Sequence, residues 1–226
     1  MRRPAILRLM RNSPPPTPAS LKILAVLALS AGLHGQALAQ QANTDFKVTR
    51  VTPDLVTTPE FSVSFGPKNK KVSKNKEFIE IEASFDWQPR AKDPQFLDDL
   101  TLNYYVLLNN KSKEYPRGTL LTGSVTHTAI PQGKGLNSVM YISPRTIERF
   151  FDGKAPSTVS AAVKDAGVVI LKQGQPVADM SWKGSGRWWE KEGEPTPGYL
   201  LNKSETPFAP LAWDYYEAIK TRPAGF

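Results

Sequence analysis

Apolar and polar residues alternate with a period of two through most of the chain beyond residue 60. The clearest run is Glu77 to Trp87. Ile79, Ile81, Ala83, Phe85 and Trp87 fall on one face, and Glu80, Glu82, Ser84 and Asp86 on the other. Such a strand buries one face and wets the other, as in an antiparallel sheet. Phe61, Val63 and Phe65 repeat the pattern, as do Leu100, Leu102, Tyr104, Val106 and Leu108. Further strands are predicted over Gly118 to Thr128, which is rich in Thr and Val, and over Leu136 to Ile142, after the turn at Pro131 to Gly135.

Ser143 to Gly153 breaks the alternation. Serine caps a helix, proline suits its first position and glycine its stop. The spacing predicts a short helix that lays Ile147, Phe150 and Phe151 across the end of a sheet. Two strands then follow, over Thr158 to Lys164 and Val168 to Lys172. A Gln173-Gly174-Gln175 turn predicts a hairpin into Val177 to Trp182. Arg187 to Glu190 reads as a last strand. Beyond it come Pro195, Pro197, Pro207 and Pro210 in an irregular segment, and Leu211 to Lys220 has helical spacing.

Eight or nine short strands with turn signals about every ten residues, and no helix long enough for βαβ crossovers, predict a mainly β chain. The expected architecture is an immunoglobulin-like two-sheet antiparallel β-sandwich over residues 40–190, with a short corner helix. An irregular, helix-containing C-terminal extension, 191–226, packs on it. A closed barrel is the competing arrangement.

The N-terminal 39 residues change the picture of charge and location. Arg2, Arg3, Arg8, Arg11 and Lys22 make a positive start without acids. An apolar run from Leu21 to Leu33 follows, and Ala37-Leu38-Ala39 offers a small-x-small cleavage pattern. The run is too short for a transmembrane helix of about 20 residues. Residues 1–39 are therefore read as a signal peptide, with an uncleaved anchor as the alternative. The chain is expected to be exported: periplasmic, outer-membrane-associated or on the cell surface. The full sequence carries 29 Lys+Arg against 21 Asp+Glu, a net of +8. Losing the five basic residues of the leader leaves 24 against 21, a net of +3. That mild balance withdraws the main support for nucleic-acid binding. The remaining 187 residues suffice for a core without disulfides, and there is no cysteine.

Candidate chemistry is sparse. After the leader one histidine remains, His127, and no Gly-x-Ser-x-Gly elbow accompanies it. It reads as a satisfied structural histidine. Zinc has too few ligands, and no calcium loop is spelled out around Asp93, Asp98 and Asp99. No catalytic residue, metal site or cofactor is assigned. Glu80 and Glu82 lie about 7 Å apart on one strand face, permissive for a glycosidase pair but also ordinary for a wet strand face. The better contact candidates are Lys68, Lys70, Lys71, Lys74 and Lys76, five lysines in nine residues. A solvated hairpin tip is the bland reading; attachment to an anionic glycan or acidic protein face is the functional one. Aromatics cluster late, at Trp182, Trp188, Trp189, Tyr199, Phe208, Trp213, Tyr215 and Tyr216. They serve either to anchor the tail or to stack on sugars or a partner. Trp188 and Trp189 stand out, because adjacent strand residues face opposite ways.

Val48-Thr49-Arg50-Val51-Thr52-Pro53-Asp54-Leu55-Val56-Thr57-Thr58-Pro59-Glu60-Phe61 and Thr206-Pro207-Phe208-Ala209-Pro210-Leu211-Ala212-Trp213-Asp214-Tyr215-Tyr216, with the strands between, carry a resemblance. The chain resembles a family of secreted verrucomicrobial proteins, some from gut mucin degraders, associated with a type IV pilus gene cluster and the outer membrane. The resemblance implies an immunoglobulin-like fold related to adhesion and pilus modules, and it transfers no active-site residue. The function expected is a non-enzymatic binding or structural module of the cell envelope, its partners being envelope or pilus proteins or host and mucin glycans. Two alternatives stand beside it. One is a carbohydrate-binding or carbohydrate-active protein using exposed aromatics and the carboxylate pair. The other is an accessory that binds by strand addition at an open sheet edge.

Overall fold

A computed structural model describes residues 45–60, 62–65, 68–71, 75–90, 94–111 and 115–221. The expected signal peptide and Lys74 lie outside the described residues. The strands, in chain order, are β1 Phe46–Thr57, β2 Ser62–Phe65, β3 Lys68–Lys71, β4 Glu77–Trp87, β5 Phe96–Leu97, β6 Leu100–Leu108 and β7 Leu120–His127. They continue with β8 Ile130–Pro131, β9 Gly133–Ile142, β10 Val163–Lys172, β11 Gln175–Ser181, β12 Thr196–Pro197 and β13 Leu200–Asn202. Two short helices are α1 Pro144–Phe150 and α2 Val159–Ala162.

One sheet has the order β1-β4-β9-β13, the other β11-β10-β6-β7-β12. All pairings are antiparallel except the short β12–β7 contact. Ile79, Ile81, Ala83 and Phe85 of the first sheet share one buried cluster with Leu100, Leu102, Tyr104, Val168 and Ile170 of the second. The alternation read from the sequence is thus the inward face of a sandwich, and the mainly β expectation holds.

The corner helix forms where its signals place it. The Ser143 side chain accepts from Thr146 N–H, Pro144 opens the helix, and Ile147 is buried. The chain leaves through Asp152 and Gly153, both at positive φ. The β10–β11 hairpin turns on Gln173 (φ 52°) and Gly174 (φ 77°), as a two-residue loop requires.

Three expectations are corrected. Thr158 to Lys164 is not a strand: Thr158 accepts from Ala161 N–H and caps the one-turn α2, and the strand starts only at Val163. Local hydroxyl capping of a Ser-Ala-Ala turn outweighs β-propensity there. Arg187 to Glu190 is not a strand but ends in a 3-10 turn, Trp188–Glu190. Leu211 to Lys220 is not a helix. Its backbone is spent on other elements: Glu217 N–H donates to Asn137 O, Lys220 N–H to Thr126 O, and Ala218 O accepts from Thr128 N–H.

That third difference shapes the molecule. β13 pairs with β9, β12 pairs with β7, and Ile219 forms a further bridge to His127. The segment beyond residue 190 thereby covers the outer edges of both sheets along one side of the sandwich.

Candidate functional site

The solvent-side face of the first sheet brings together a group of ionisable side chains. β4 presents Glu80 and Glu82 two residues apart, hence on one face. Register sets Glu80 opposite Tyr141 of β9, and Glu82 opposite Thr52 of β1. The tail then lies over them. Phe208 stacks on Tyr141 with centroids 4.8 Å apart and meets Phe78 edge-on at 5.4 Å. Tyr216 Oη donates to Glu82 Oε2 at 3.2 Å and Tyr215 Oη to Oε1 at 3.4 Å. Arg50 Nη2 donates to the same Oε1 at 2.7 Å. Burial pushes the Glu80 carboxyl above the usual carboxylate range, a bond from Tyr141 opposes this, and the Glu82 charge adds to the rise. The two acids stand side by side under the tail, and Glu82 accepts from three donors. This is an anchor for the tail, not a pair facing each other across a cleft.

His127 lies in the interior. Tyr104 Oη donates to Ser138 Oγ at 2.8 Å, and Ser138 Oγ is 2.7 Å from His127 Nε2. Nδ1 is 3.1 Å from the Glu217 carbonyl, which can only accept. Nδ1 therefore holds the proton and Nε2 accepts from Ser138. The chain of bonds joins both sheets and the tail. Burial holds the imidazole well below its ordinary value, at about 4, so it is neutral near pH 7. Among the described residues, no group of three or more His, Cys, Asp or Glu side chains is placed to hold a metal.

The remaining candidates are spread out. Lys68, Lys70 and Lys71 lie on β3, which pairs with β2 in a separate two-stranded hairpin. Lys76 stands at its neck, where Thr58 N–H donates to Lys76 O. Trp189 is buried, stacked on Tyr105 at 4.9 Å, and Trp188 meets it edge-on at 5.5 Å. These two tryptophans cover the outside of the second sheet. Trp188 stays partly buried, so neither ring is free as a flat platform.

Two surface features lie outside the contact candidates Lys68 to Lys76, Trp188 and Trp189, apart from Lys76 at the rim of one. One is the turn Leu211 to Tyr215, where Leu211, Trp213 and Tyr215 are 41, 77 and 45% exposed. Its signals, the prolines at 207 and 210, were visible but were outweighed by helical spacing. The other is a cleft of about 430 Å³ between the end of β1 and α1, lined by Leu55, Ile79, Ile147 and Ala162 below and by Lys76 and Glu148 at the rim. No spacing rule joins residues so far apart in the chain.

A protein-family model matches residues 37–223. The chain belongs to this family. A crystal structure of a protein from Akkermansia muciniphila is similar to the chain, with a TM-score of 0.54 at 25% identity, over 81% of this chain and 98% of that one. No curated protein matches. Family membership thus extends over both sheets and the tail that covers their edges, and the Akkermansia structure fits the resemblance to verrucomicrobial proteins.

Proposed function

We propose that the protein is a non-enzymatic binding and structural module of the cell envelope, acting in adhesion or type IV pilus-associated assembly. One observation carries the reading: the groups that could do chemistry are consumed by the fold. His127 is neutral and bonded on both nitrogens. Glu82 is bonded by Arg50, Tyr215 and Tyr216, and Glu80 sits beneath the same tail. Family membership and the verrucomicrobial neighbour support the envelope setting. Export through the N-terminal leader is part of the same proposal.

Strand addition is the weaker mode of binding. Two sheet edges are covered by the tail, and each of the other two edge strands carries a proline and a register shift. Contact through surface side chains is therefore favoured. Affinity capture from envelope extracts, with the tagged protein as bait, tests the reading, and a glycan array runs in parallel. Reproducible enrichment of an envelope or pilus component is expected. Failure of both, or hydrolysis of an arrayed glycan abolished by Glu80→Gln, overturns it.

A further inference from the structure

One end of the sandwich gathers the positive charge of the chain. β1 stops at Thr57 and β4 starts at Glu77, so the β2–β3 hairpin leaves the first sheet at this end. Its neck is closed by Thr58 N–H donating to Lys76 O at 2.9 Å. α1 lies at the same end: β9 finishes at Ile142, opposite Ile79, just before it, and Glu148 of α1 stands 4.0 Å from Lys76. Residues 60–77 and 143–154 together hold eight Lys and Arg against four Asp and Glu, a net of +4. The rest of the chain beyond the leader holds 16 against 17, a net of −1. The positive balance is therefore local to this end. Two of its acids are engaged, since Glu60 accepts from Asn75 Nδ2 at 2.9 Å and Glu148 faces Lys76. Arg145, Arg149 and Lys154 are exposed.

A signal of a different kind lies beside the neck. Phe208 joins Phe78, Tyr141 and Val56 in one apolar cluster, and Val56 pairs with Phe78 one step from the Thr57–Glu77 pair at the neck. The segment that Phe208 fastens, Pro207 to Trp213, contains no charged residue, and of its side chains only Phe208 is buried. Leu211 is 41% and Trp213 77% exposed. Local bonds fix this turn: Leu211 N–H donates to Phe208 O at 3.0 Å and Tyr215 N–H to Ala212 O at 3.2 Å. In the hairpin, register sets Val63 opposite Lys70 and Phe65 opposite Lys68, so these four positions share one face of the ladder. Apolar and cationic positions mixed on one surface suit a bilayer interface, where tryptophan sits at headgroup depth and lysine meets lipid phosphate. An anionic polysaccharide would be met by charge alone and would leave the uncharged turn without a role.

We propose that this end of the protein docks on an anionic lipid bilayer, with the β2–β3 lysines on headgroup phosphates and Leu211 and Trp213 entering the interface. A small apolar insertion holds weakly by itself, and so does a basic patch; the two together give stable attachment. The inference rests on the reading of the chain as an envelope module and names a surface for it.

The exported protein, with loss of the leader checked by mass, is sedimented with vesicles of phosphatidylglycerol and phosphatidylethanolamine, or of phosphatidylcholine alone. Binding to the anionic vesicles and not to the neutral ones is expected. Raising the salt from roughly 0.05 to 0.5 M should weaken it, because charge is screened over a shorter range. Lys68→Gln, Lys70→Gln and Lys71→Gln combined should weaken it at least about tenfold. Leu211→Ser with Trp213→Ala, both at exposed positions, should also weaken it about tenfold, with the melting curve unchanged. No binding to anionic vesicles, equal binding to neutral ones, or either variant binding like wild type overturns the proposal. Capture by a sulfated polysaccharide without vesicle binding also overturns it and assigns the lysines to a glycan. A chain that binds no vesicle but captures an envelope protein leaves the binding-module reading standing, so the two failures are distinguishable.

Discussion

At the residue scale, two positions show how polar and apolar constraints are met. His127 has a folded value of about 4 against an unfolded value near 6.5, because burial disfavours its charged form. The unfolded chain therefore binds the extra proton first. The stabilisation from neutral His127 is complete above about pH 6.5 and is lost as the pH falls toward 4, an effect on the order of a few kcal/mol. Glu80 and Glu217 act in the opposite sense, since burial raises both carboxyls. Comparing wild type with His127→Gln isolates the histidine: denaturant midpoints should converge on acidification from pH 7 to 4. Equal slopes for the two proteins would remove the account. Gly167 is the second position. A Cβ there would lie 2.2 Å from Trp189 Cζ3. Gly167→Ala should cost roughly 1–3 kcal/mol, as overpacking does, and Trp189→Ala roughly 3–5. The double variant should cost less than the sum, because the alanine enters space the indole has left. Additive costs by urea unfolding would show that ring and glycine do not compete.

At the element scale, the tail decides more than its irregular sequence suggests. It supplies β12 and β13, bridges β7 through Ile219, and lays Phe208 on Tyr141 and Phe78. Ending the chain at Gly193 would expose the outer edges of β7 and β9 together with this aromatic surface. Such a chain is expected to lose cooperative unfolding and aggregate, while Tyr216→Phe, which removes one bond to Glu82, should cost only about 1 kcal/mol. A soluble truncated chain with an unchanged melting curve would contradict this. The same contrast explains what could be read beforehand. β4 and β6 were legible to the residue because one face is fully buried, and α1 because its cap and stop are local. The tail was not legible: its partners, Asn137, Thr126 and Glu82, lie about 80 or more residues away, and helical spacing at Leu211 to Lys220 gives no hint of them. The turn at Trp188 and Trp189 follows from packing of Trp189 on Tyr105 and Gly167, which no adjacent-residue rule reveals. The cleft and the exposed Trp213 likewise exist only once distant segments meet.

At the scale of the whole molecule, a sandwich with two open sheets has four edges to protect. The tail covers two, along β7 and β9. The other two, β1 and β11, each have one sheet neighbour. Pro53 pairs opposite Ile81, and Pro176 opposite Leu171. A proline can occupy such a place only where its nitrogen faces away from the neighbour, so each deletes a donor from a free edge. Register shifts at Val48/Arg50 and Ile170/Leu171 bend the same two strands and interrupt a flat ladder. The protein thus closes one side with its own chain and blunts the other. Replacing both prolines by valine should keep the fold, because neither nitrogen donates within its sheet. It should also restore an edge row with high β-propensity. Light scattering at concentrations where wild type is stable should then show growth of larger, strand-paired species. No growth at all would show that the bulges suffice to protect the edges.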